Sequence, residues 1–389
     1  MLLNFKKITA VCDKYINAGD LAGTQTLVYQ KNKIIHYENQ GFRDLEKKLP
    51  IENNTVFRIY SMTKPVTAVA AMMLYDQNRF KLNTPVSEFI PEFKHTKVFA
   101  GGTAENYETL KPDREITMGD LLSHTSGITY DFMYESVVDE LYRNANISGL
   151  NPQQPLEEMA KIIARQPLLF SPGKQWAYGL SLDIIGRVVE VISGLSLREY
   201  FKQEIFGPLN MVDTDFYVPK EKQNRFAQHY QKDKDLIILD DSHTGQFSKP
   251  PICDFGGGGL VSTTEDYLKF CVMLLNKGRV GEKLFLKANT VELMTANYLP
   301  TSIDNYMLAP SPYIPVGVGY GLGFGMTLSD ATLSGSVGTY GWGGAAHTSF
   351  FIDPKAELIA IFMTQLFPPD YKLEMMDEFR AAVYESITK

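Results

Sequence analysis

The chain has 389 residues, of which 44% are hydrophobic and 21% are charged, as in ordinary globular proteins. This length exceeds what one hydrophobic core usually serves, so we expect two domains. A formal net charge of −7, with no cluster of Lys and Arg to offset it, argues against nucleic acid as a partner.

Cysteine usage and the N-terminal residues bear on the cellular compartment. Cys12, Cys253 and Cys271 are scattered and odd in number, so they predict reduced, buried thiols rather than a disulfide framework or a zinc site. The N-terminal sequence does not resemble a signal peptide, because lysines interrupt its apolar run and no A-x-A site follows. No apolar run reaches the length of a membrane span. We therefore expect a cytoplasmic protein, although a chain trimmed of its signal would look similar.

The N-terminal part of the chain predicts a helix, a hairpin and a second helix. Apolar side chains recur at helical spacing before Gly19, which suits a C-terminal cap. Strands over 24–30 and 33–39 are separated by two polar residues, as in a tight hairpin. A largely apolar helix follows over 61–78.

The remaining elements suggest how the chain is divided. Helical stretches such as 156–165 and 183–202 are separated by long connectors rich in Pro, Gly and Asn. The tail predicts strands and a closing helix, near 320–327, 346–352, 357–364 and from about 371.

The hairpin and the tail strands can form one sheet, with the middle of the chain as an inserted lobe. We therefore predict an α/β sandwich domain built from residues 1–75 and 254–389. Residues 76–253 would form a mostly helical domain.

A run of four glycines, in "DFGGGGLVSTTEDYLKFCVMLL" from residue 254, precedes another predicted helix. Ser262 and Glu265 have the spacing of a capping box at its start. Glycines before a helix can bind phosphate. No G-K-[ST] and no complete G-x-G-x-x-G following a strand is present, so we interpret the glycines as sites of close backbone packing.

Three S-x-x-K patterns compete for the role of nucleophile and base: Ser61–Lys64, Ser171–Lys174 and Ser386–Lys389. Residues three apart on a helix share a face, so Ser61 and Lys64 can touch if the helix begins at or before Ser61. The positive end of the helix dipole favours negative charge there. Burial among the apolar residues that follow disfavours the ammonium, so we expect Lys64 to act as the base.

The other two patterns lack this geometry. Pro172 and Gly173 place a loop inside the second, and the third closes the chain, where residues fray. The alternative for Ser61 is a helix N-cap with an ordinary lysine after it.

Four ordered blocks resemble the class C β-lactamase-like serine hydrolases, and most closely the family VIII carboxylesterases and related acyltransferases. They lie within residues 20–365: "FRIYSMTKPVTAVAAMMLYDQNRFKLNTPVSEFIPEF", "ITMGDLLSHTSGI", "LFSPGKQWAYGLSLDIIGRVVEVISG" and "YGWGGAAHTSFFIDPKAELIAIFMTQ". The resemblance implies an α+β fold, an antiparallel β-sheet flanked by helices with an inserted helical lobe.

The resemblance also implies a catalytic tyrosine, usually written Y-x-N, and it assigns this role to Tyr178. Lys64 would supply the cation that makes a phenol a useful base. The literal Y-x-N at Tyr142 does not fit the family order. The motif's asparagine is missing after Tyr178, which disfavours efficient β-lactam chemistry, and whether Ser181 replaces it stays open.

In the third family motif, K-T-G is replaced by Trp342-Gly343-Gly344. This exchanges a cation for an aromatic wall, so apolar acyl or alcohol groups suit the pocket better than anionic β-lactams. The resemblance places the oxyanion donors at the backbone N–H groups of Ser61 and Ala345.

Two histidines accompany these motifs. His243, in an H-T-G sequence, lies in a polar loop and is interpreted as a coincidental match. His347 follows W-G-G and is either a structural residue or part of the pocket.

The leading prediction is a serine hydrolase that cleaves small-molecule carboxylic esters, or amides, through an acyl-enzyme, without a cofactor or metal. A transacylase, a β-lactamase or D-alanyl-D-alanine peptidase, and a non-catalytic binding protein are the alternatives. The six histidines lack the spacing of a metallohydrolase site, and no G-x-S-x-G elbow is present. The natural substrate and the oligomeric state stay open.

Overall fold

The structure is a computed structural model, and it describes residues 4–301, 317–329, 334–367 and 373–387. The helices are α1 Lys6–Asn17, α2 Thr63–Asp76, α3 Met118–Leu122, α4 Val137–Asn144, α5 Leu156–Arg165, α6 Ser181–Ser193, α7 Leu197–Phe201, α8 Gly207–Leu209, α9 Thr264–Leu275, α10 Ala288–Thr295 and α11 Leu373–Ile387. A π-helical turn, Lys202–Phe206, connects α7 to α8.

The strands are mostly short. They are β1 Gly23–Gln30, β2 Lys33–Asp44, β3 Leu49–Pro50, β4 Phe57–Arg58, β5 Val98–Gly102, β6 Tyr107–Leu110, β7 His229–Lys232, β8 Leu236–Asp240, β9 Val261–Ser262, β10 Arg279–Val280, β11 Lys283–Leu284, β12 Val318–Tyr320, β13 Gly325–Thr327, β14 Tyr340–Gly343, β15 Ser349–Asp353, β16 Leu358–Met363 and β17 Leu366–Phe367.

The central sheet joins the two ends of the chain. Its eight strands lie in the order β12-β13-β14-β15-β16-β1-β2-β3, and every neighbouring pair is antiparallel. The junction is the long pairing of β1 with β16, in which Leu27 lies opposite Ile361. The residue pattern predicted one sheet built from both ends of the chain, and the family resemblance implied that it is antiparallel.

Alternating side chains of β1 and β16 face two different layers. Leu27 and Ile361 belong to the main core, which contains α2 and α9, whereas Val28 and Phe362 pack on the other face with residues of α1 and α11. Helix α2 is apolar on all sides and almost wholly buried, which makes it the central helix of the main core. The sheet is therefore covered on both faces.

Residues 76–253 contain α3–α8 but also two hairpins, β5–β6 and β7–β8. Strand β7 pairs in parallel with β17, so the second hairpin is attached to the tail of the chain. The predicted lobe is thus less purely helical than expected, because part of it completes a small sheet with the C-terminal region. The division into two domains stays a prediction.

Several predicted elements need adjustment. The strand predicted near 320–327 is two strands, β12 and β13, and the tail also contains β14 and β17, which were not predicted. The helix predicted from 183 begins at Ser181 and ends at Ser193. The capping box predicted at Ser262 is wrong: Thr263 caps α9, and its side chain accepts a 3.2 Å hydrogen bond from the Asp266 backbone N–H. The sequence offered two overlapping Ser/Thr-x-x-Asp/Glu patterns, and the strand pairing of Ser262 decides between them.

The hairpin and the cysteines agree with the predictions. Lys31 and Asn32 both have positive φ, as a two-residue hairpin turn requires. Cys12, Cys253 and Cys271 are unpaired and buried. Within the described ranges, no helix combines the length and hydropathy needed to cross a bilayer. The cytoplasmic location stays a prediction.

Candidate active site

Ser61 lies on a tight turn that leads into the central helix. Tyr60–Met62 form one turn of 3₁₀ helix, and α2 continues directly from it. Side chains three apart eclipse one another in a 3₁₀ turn, which brings Lys64 Nζ to 3.0 Å from Ser61 Oγ. Tyr60, immediately before the serine, has φ +41°, a strained backbone conformation of the kind that clusters at active sites.

The amine of Lys64 is buried and has three hydrogen-bond acceptors around it. Besides Ser61, it donates to the Tyr130 hydroxyl at 2.8 Å and to the Gly257 carbonyl at 2.6 Å. These contacts hold the amine next to the serine, as the motif predicted. They also bring in Tyr130, which the sequence analysis did not single out.

Tyr130 lies just after the block "ITMGDLLSHTSGI", and no spacing rule relates it to Ser61 or Lys64. It is buried in the main core, and burial, with smaller contributions from Tyr178 and Asp183, raises its pKa well above the ordinary value for tyrosine. The phenol is therefore protonated at neutral pH. Only the fold could reveal that its oxygen reaches Lys64.

Tyr178 also lies beside Lys64, but through its ring. The centroid of the ring is 4.6 Å from Lys64 Nζ, a cation–π distance. Its hydroxyl accepts a 3.0 Å hydrogen bond from the Trp342 indole, and its backbone N–H donates to the Tyr134 hydroxyl at 2.7 Å. Tyr178 and Trp342, which the family resemblance selected separately, are thus in direct contact.

The W-G-G segment lies against Ile59, the residue between β4 and the turn that carries the nucleophile. Trp342 and Gly343 end β14, and a Cβ on Gly344 would overlap the carbonyl oxygen of Ile59. Gly344 therefore allows a close approach that any side chain would prevent. Its own N–H donates to the Thr348 carbonyl at 2.7 Å, which closes the turn after β14.

The predicted oxyanion donors are the backbone N–H groups of Ser61 and Ala345. Within the described ranges, the backbone N–H groups of Ser61 and Ala345 donate to no backbone or side-chain acceptor. Ala345 directly follows Gly344, whose Cβ position approaches the carbonyl of Ile59, two residues before Ser61. An oxyanion hole needs free donors of this kind, and the assignment of this role to Ser61 and Ala345 stays a prediction.

The four-glycine segment packs between two helices. Thr67 of α2 donates to the Gly256 carbonyl at 2.7 Å, and a Cβ on Gly256 would also approach the Leu182 carbonyl of α6. Next to it, Gly257 contacts Lys64 through its carbonyl and the Asp183 carboxylate through its N–H. Close backbone packing, the predicted role of these glycines, is confirmed.

The ring of His124 packs against the ring of Tyr178. Its ring centroid lies 4.9 Å from that of Tyr178, and its carbonyl accepts a 2.9 Å hydrogen bond from the Ala177 N–H. Burial, with a contribution from the charge of Lys64, holds the pKa of His124 well below its usual value, so the imidazole is neutral. Neither ring nitrogen has a hydrogen-bond partner in the described part of the chain.

The other candidate residues have contacts of their own in the described structure, and the roles of Ser181 and His347 stay open. Tyr142 is buried in α4 as part of the main core. The Ser181 hydroxyl lies 2.9 Å from that of Ser126, in a buried pair. His347 Nδ1 lies 2.8 Å from the Leu366 carbonyl, and His243 donates its backbone N–H to Asp241 in an exposed turn.

Of the two rival S-x-x-K pairs, Ser171–Lys174 is fully described, and its side chains bind other partners rather than each other. Ser171 accepts a hydrogen bond from the Asp113 N–H, while Lys174 forms an exposed ion pair with the Asp113 carboxylate at 3.0 Å. Ser386 donates to the Ala382 carbonyl within α11, and Lys389 lies outside the described residues.

Comparisons with known proteins agree on one family. The family model for Beta-lactamase matches residues 8–385. An uncharacterized protein of Mycobacterium tuberculosis (strain CDC 1551 / Oshkosh) is 33% identical over 94% of this chain and 90% of its own length. Lovastatin esterase of Penicillium rubens is 30% identical, with 87% of each chain covered. The solved structure of EstCE1, a hydrolase with promiscuous acyltransferase activity, has a TM-score of 0.83 at 24% identity and covers 97% of this chain and 98% of its own.

Proposed function

This chain belongs to the β-lactamase family, and we propose that it hydrolyses carboxylic esters through an acyl-enzyme formed on Ser61. The family and fold class predicted from the sequence are confirmed by the comparisons. The observation that carries the proposal is the position of the buried Lys64 amine, 3.0 Å from the Ser61 hydroxyl and with acceptors on its other sides.

In the proposed reaction, Ser61 Oγ attacks the ester carbonyl carbon while its proton passes to the Lys64 amine, which reacts in its unprotonated form. The N–H groups of Ser61 and Ala345 bind the oxyanion of the tetrahedral intermediate. As the carbonyl re-forms, the alkoxide leaves and receives the proton from Lys64, with Tyr178 as the proposed relay. Water then attacks the acyl-enzyme by the same steps in reverse.

Relatives support this class of reaction. A named esterase lies among the sequences at least 30% identical to this chain, and the predicted enzyme class, a serine esterase of the β-lactamase superfamily, agrees with it. Acyl transfer to an alcohol uses the same acyl-enzyme and differs only in the second nucleophile. Transacylation is therefore the alternative activity of the same site.

The surroundings of the site favour apolar small-molecule esters. Phe132 stacks on Tyr130 with ring centroids 5.0 Å apart, and 44% of its surface is exposed. With Trp342 in place of the lysine of K-T-G, the described part of the site presents aromatic surface where a β-lactamase would bind a carboxylate. Anionic β-lactams are accordingly proposed to be poor substrates.

The first experiment compares hydrolysis of a short-chain p-nitrophenyl ester by the wild type and by Ser61→Ala, in the presence of a chelator. We expect the substitution to lower kcat by about 10⁴-fold or more, since loss of a nucleophile removes the covalent route. Ser171→Ala, from the exposed rival motif, is the matched control and should keep wild-type activity. Turnover that survives in Ser61→Ala would remove Ser61 from the mechanism.

Adding a primary alcohol to the same assay distinguishes the two activities. A hydrolase releases mainly free acid, whereas a transacylase releases mainly the new ester. Turnover of a chromogenic cephalosporin as fast as of the simple ester would instead favour the β-lactamase alternative.

A further inference from the structure

Asp183 is a buried carboxylate that the proposed reaction does not use directly. It lies in the first turn of α6 and is fully enclosed. Its Oδ1 accepts a 2.8 Å hydrogen bond from the Gly257 N–H. Its Oδ2 has no hydrogen-bond partner in the part of the chain that the structure describes. Burying a carboxylate oxygen without a hydrogen-bond partner costs free energy, which points to a functional role for this side chain.

Gly257 connects this carboxylate to Lys64. The same residue that donates its N–H to Asp183 accepts the Lys64 amine at its carbonyl, with a distance of 2.6 Å. A Cβ at Gly257 would overlap Asp183 Oδ2, so only glycine allows the carboxylate to lie this close. The three residues form a continuous chain of contacts from α6 to the nucleophile.

Electrostatic interactions also connect Asp183 to Lys64. Burial raises the pKa of Asp183 to about 6, while the charge of Lys64 and the hydrogen bond from Gly257 act to lower it. Burial and, to a smaller extent, the negative charge of Asp183 raise the pKa of Tyr130 and of Cys253, so neither side chain is ionised near pH 7. In the described part of the chain, Lys64 is thus the basic group whose charge acts on Asp183.

We propose that Asp183 is a positioning residue for Lys64 in the reaction proposed above. It fixes Gly257, whose carbonyl holds the amine beside Ser61, and its charge stabilises the ammonium that forms during attack. In that step the Ser61 O–H bond breaks, an N–H bond forms on Lys64, and the Ser61 oxygen bonds to the substrate carbonyl carbon. Asp183 exchanges no proton and forms no bond, but it acts on the base as the third member of a catalytic triad does.

The test is the pH profile of ester hydrolysis by Asp183→Asn, which keeps the shape of the side chain and removes its charge. We expect kcat to fall by about 10–100-fold with KM changed by less than about threefold, because the loss affects only a charge formed in the transition state. The acidic limb of kcat/KM should move to lower pH, because without the carboxylate the Lys64 ammonium is less stable. A purely structural role would lower the yield of folded enzyme without moving this limb.

Asp266→Asn is the matched control. Asp266 is also a buried aspartate near the start of a helix, and it accepts a 2.7 Å hydrogen bond from the Asp213 N–H, but its side-chain partners do not include Lys64 or Gly257. The acidic limb of this variant should coincide with that of the wild type.

A second variant and a second readout keep the test decisive if Asp183→Asn folds poorly. Gly257→Ala displaces the carboxylate by overlap and should move the limb in the same direction. The rate of labelling by a fluorophosphonate reports on Ser61 in the folded fraction alone. An unchanged limb in both variants, with kcat within about twofold of wild type, would overturn the role of Asp183. Turnover surviving in Ser61→Ala would instead overturn the proposed function itself.

Discussion

The two halves of the candidate site are built in different ways. Ser61 and Lys64 are three residues apart on one continuous turn and helix, so local geometry brings their side chains to one face, where Nζ lies 3.0 Å from Oγ. The groups around them, Tyr130, Tyr178 and Trp342, come from three distant segments and meet only because the sheet and the helices pack together. The local half can be recognised from spacing, whereas the aromatic half cannot.

This difference explains how the tyrosines are arranged. Family order selects Tyr178, and the structure places its ring beside Lys64 and its hydroxyl on Trp342. The hydroxyl that touches the amine belongs to Tyr130. Two phenols therefore flank one base, and their contributions must be measured separately.

The local half should show the largest effect. Lys64→Met removes the proposed base, and we expect kcat/KM to fall by about 10³–10⁴-fold, near the upper end for general base catalysis. Lys174→Met, in the exposed rival motif, serves as the control and should be unaffected. If Lys64→Met retains more than about a tenth of wild-type activity, the base lies in the aromatic half instead.

The aromatic half can be divided by two single substitutions. We expect Tyr178→Phe to lower kcat by about 100-fold, as for loss of a proton relay, and Tyr130→Phe by about tenfold, as for loss of a hydrogen bond that positions the amine. Steady-state kinetics on the same ester measures both. A larger loss in Tyr130→Phe would reverse the two roles and transfer the relay to Tyr130.

The ionisation of Asp183 also affects the stability of the folded protein. The folded-state pKa of Asp183 is raised from 3.8 to about 6, so the folded chain binds this proton more tightly than the unfolded chain does. Its contribution to stability is therefore fully present below about pH 4 and lost as the pH rises through about 6.

The side chain in Asp183→Asn does not titrate. Relative to the wild type, the free energy of unfolding of the variant should therefore be about 2–3 kcal/mol higher at pH 7.5 than at pH 4. Urea unfolding at the two pH values measures this, and Asp266→Asn should show no such gain. If the variant and the wild type differ in free energy of unfolding by the same amount at both pH values, burial does not raise the pKa of Asp183.

The smallest effect belongs to the contact between the two aromatic residues selected by the family motifs. Trp342→Phe keeps an aromatic wall but removes the indole N–H that donates to the Tyr178 hydroxyl. Loss of one such hydrogen bond is worth about 1 kcal/mol, so we expect kcat to fall by about fivefold. In a Tyr178→Phe background the same change should cost nothing further, and an additive loss would show that Trp342 acts independently of Tyr178.

By itself, the sequence determined the elements whose signals are local. Hydrophobic periodicity predicted α5 within its observed bounds, and two polar residues between apolar strands predicted the β1–β2 hairpin. The i, i+3 spacing of Ser61 and Lys64 predicted their contact, because residues three apart on a helix share a face. The same locality excluded Ser171, where a Pro-Gly pair interrupts the turn.

Only the tertiary structure decided the contacts between distant segments. Tyr130 and Asp183 have no sequence spacing to Lys64 that any helix or strand would convert into a contact. The position of Asp183 follows from the packing of α6 and the glycine segment against α2. Tyr130 reaches Lys64 because the loop between α3 and α4 packs into the main core. Strand β14, with glycines at alternate positions, carries a weak local signal and forms because β13 and β15 hydrogen-bond to it on both sides.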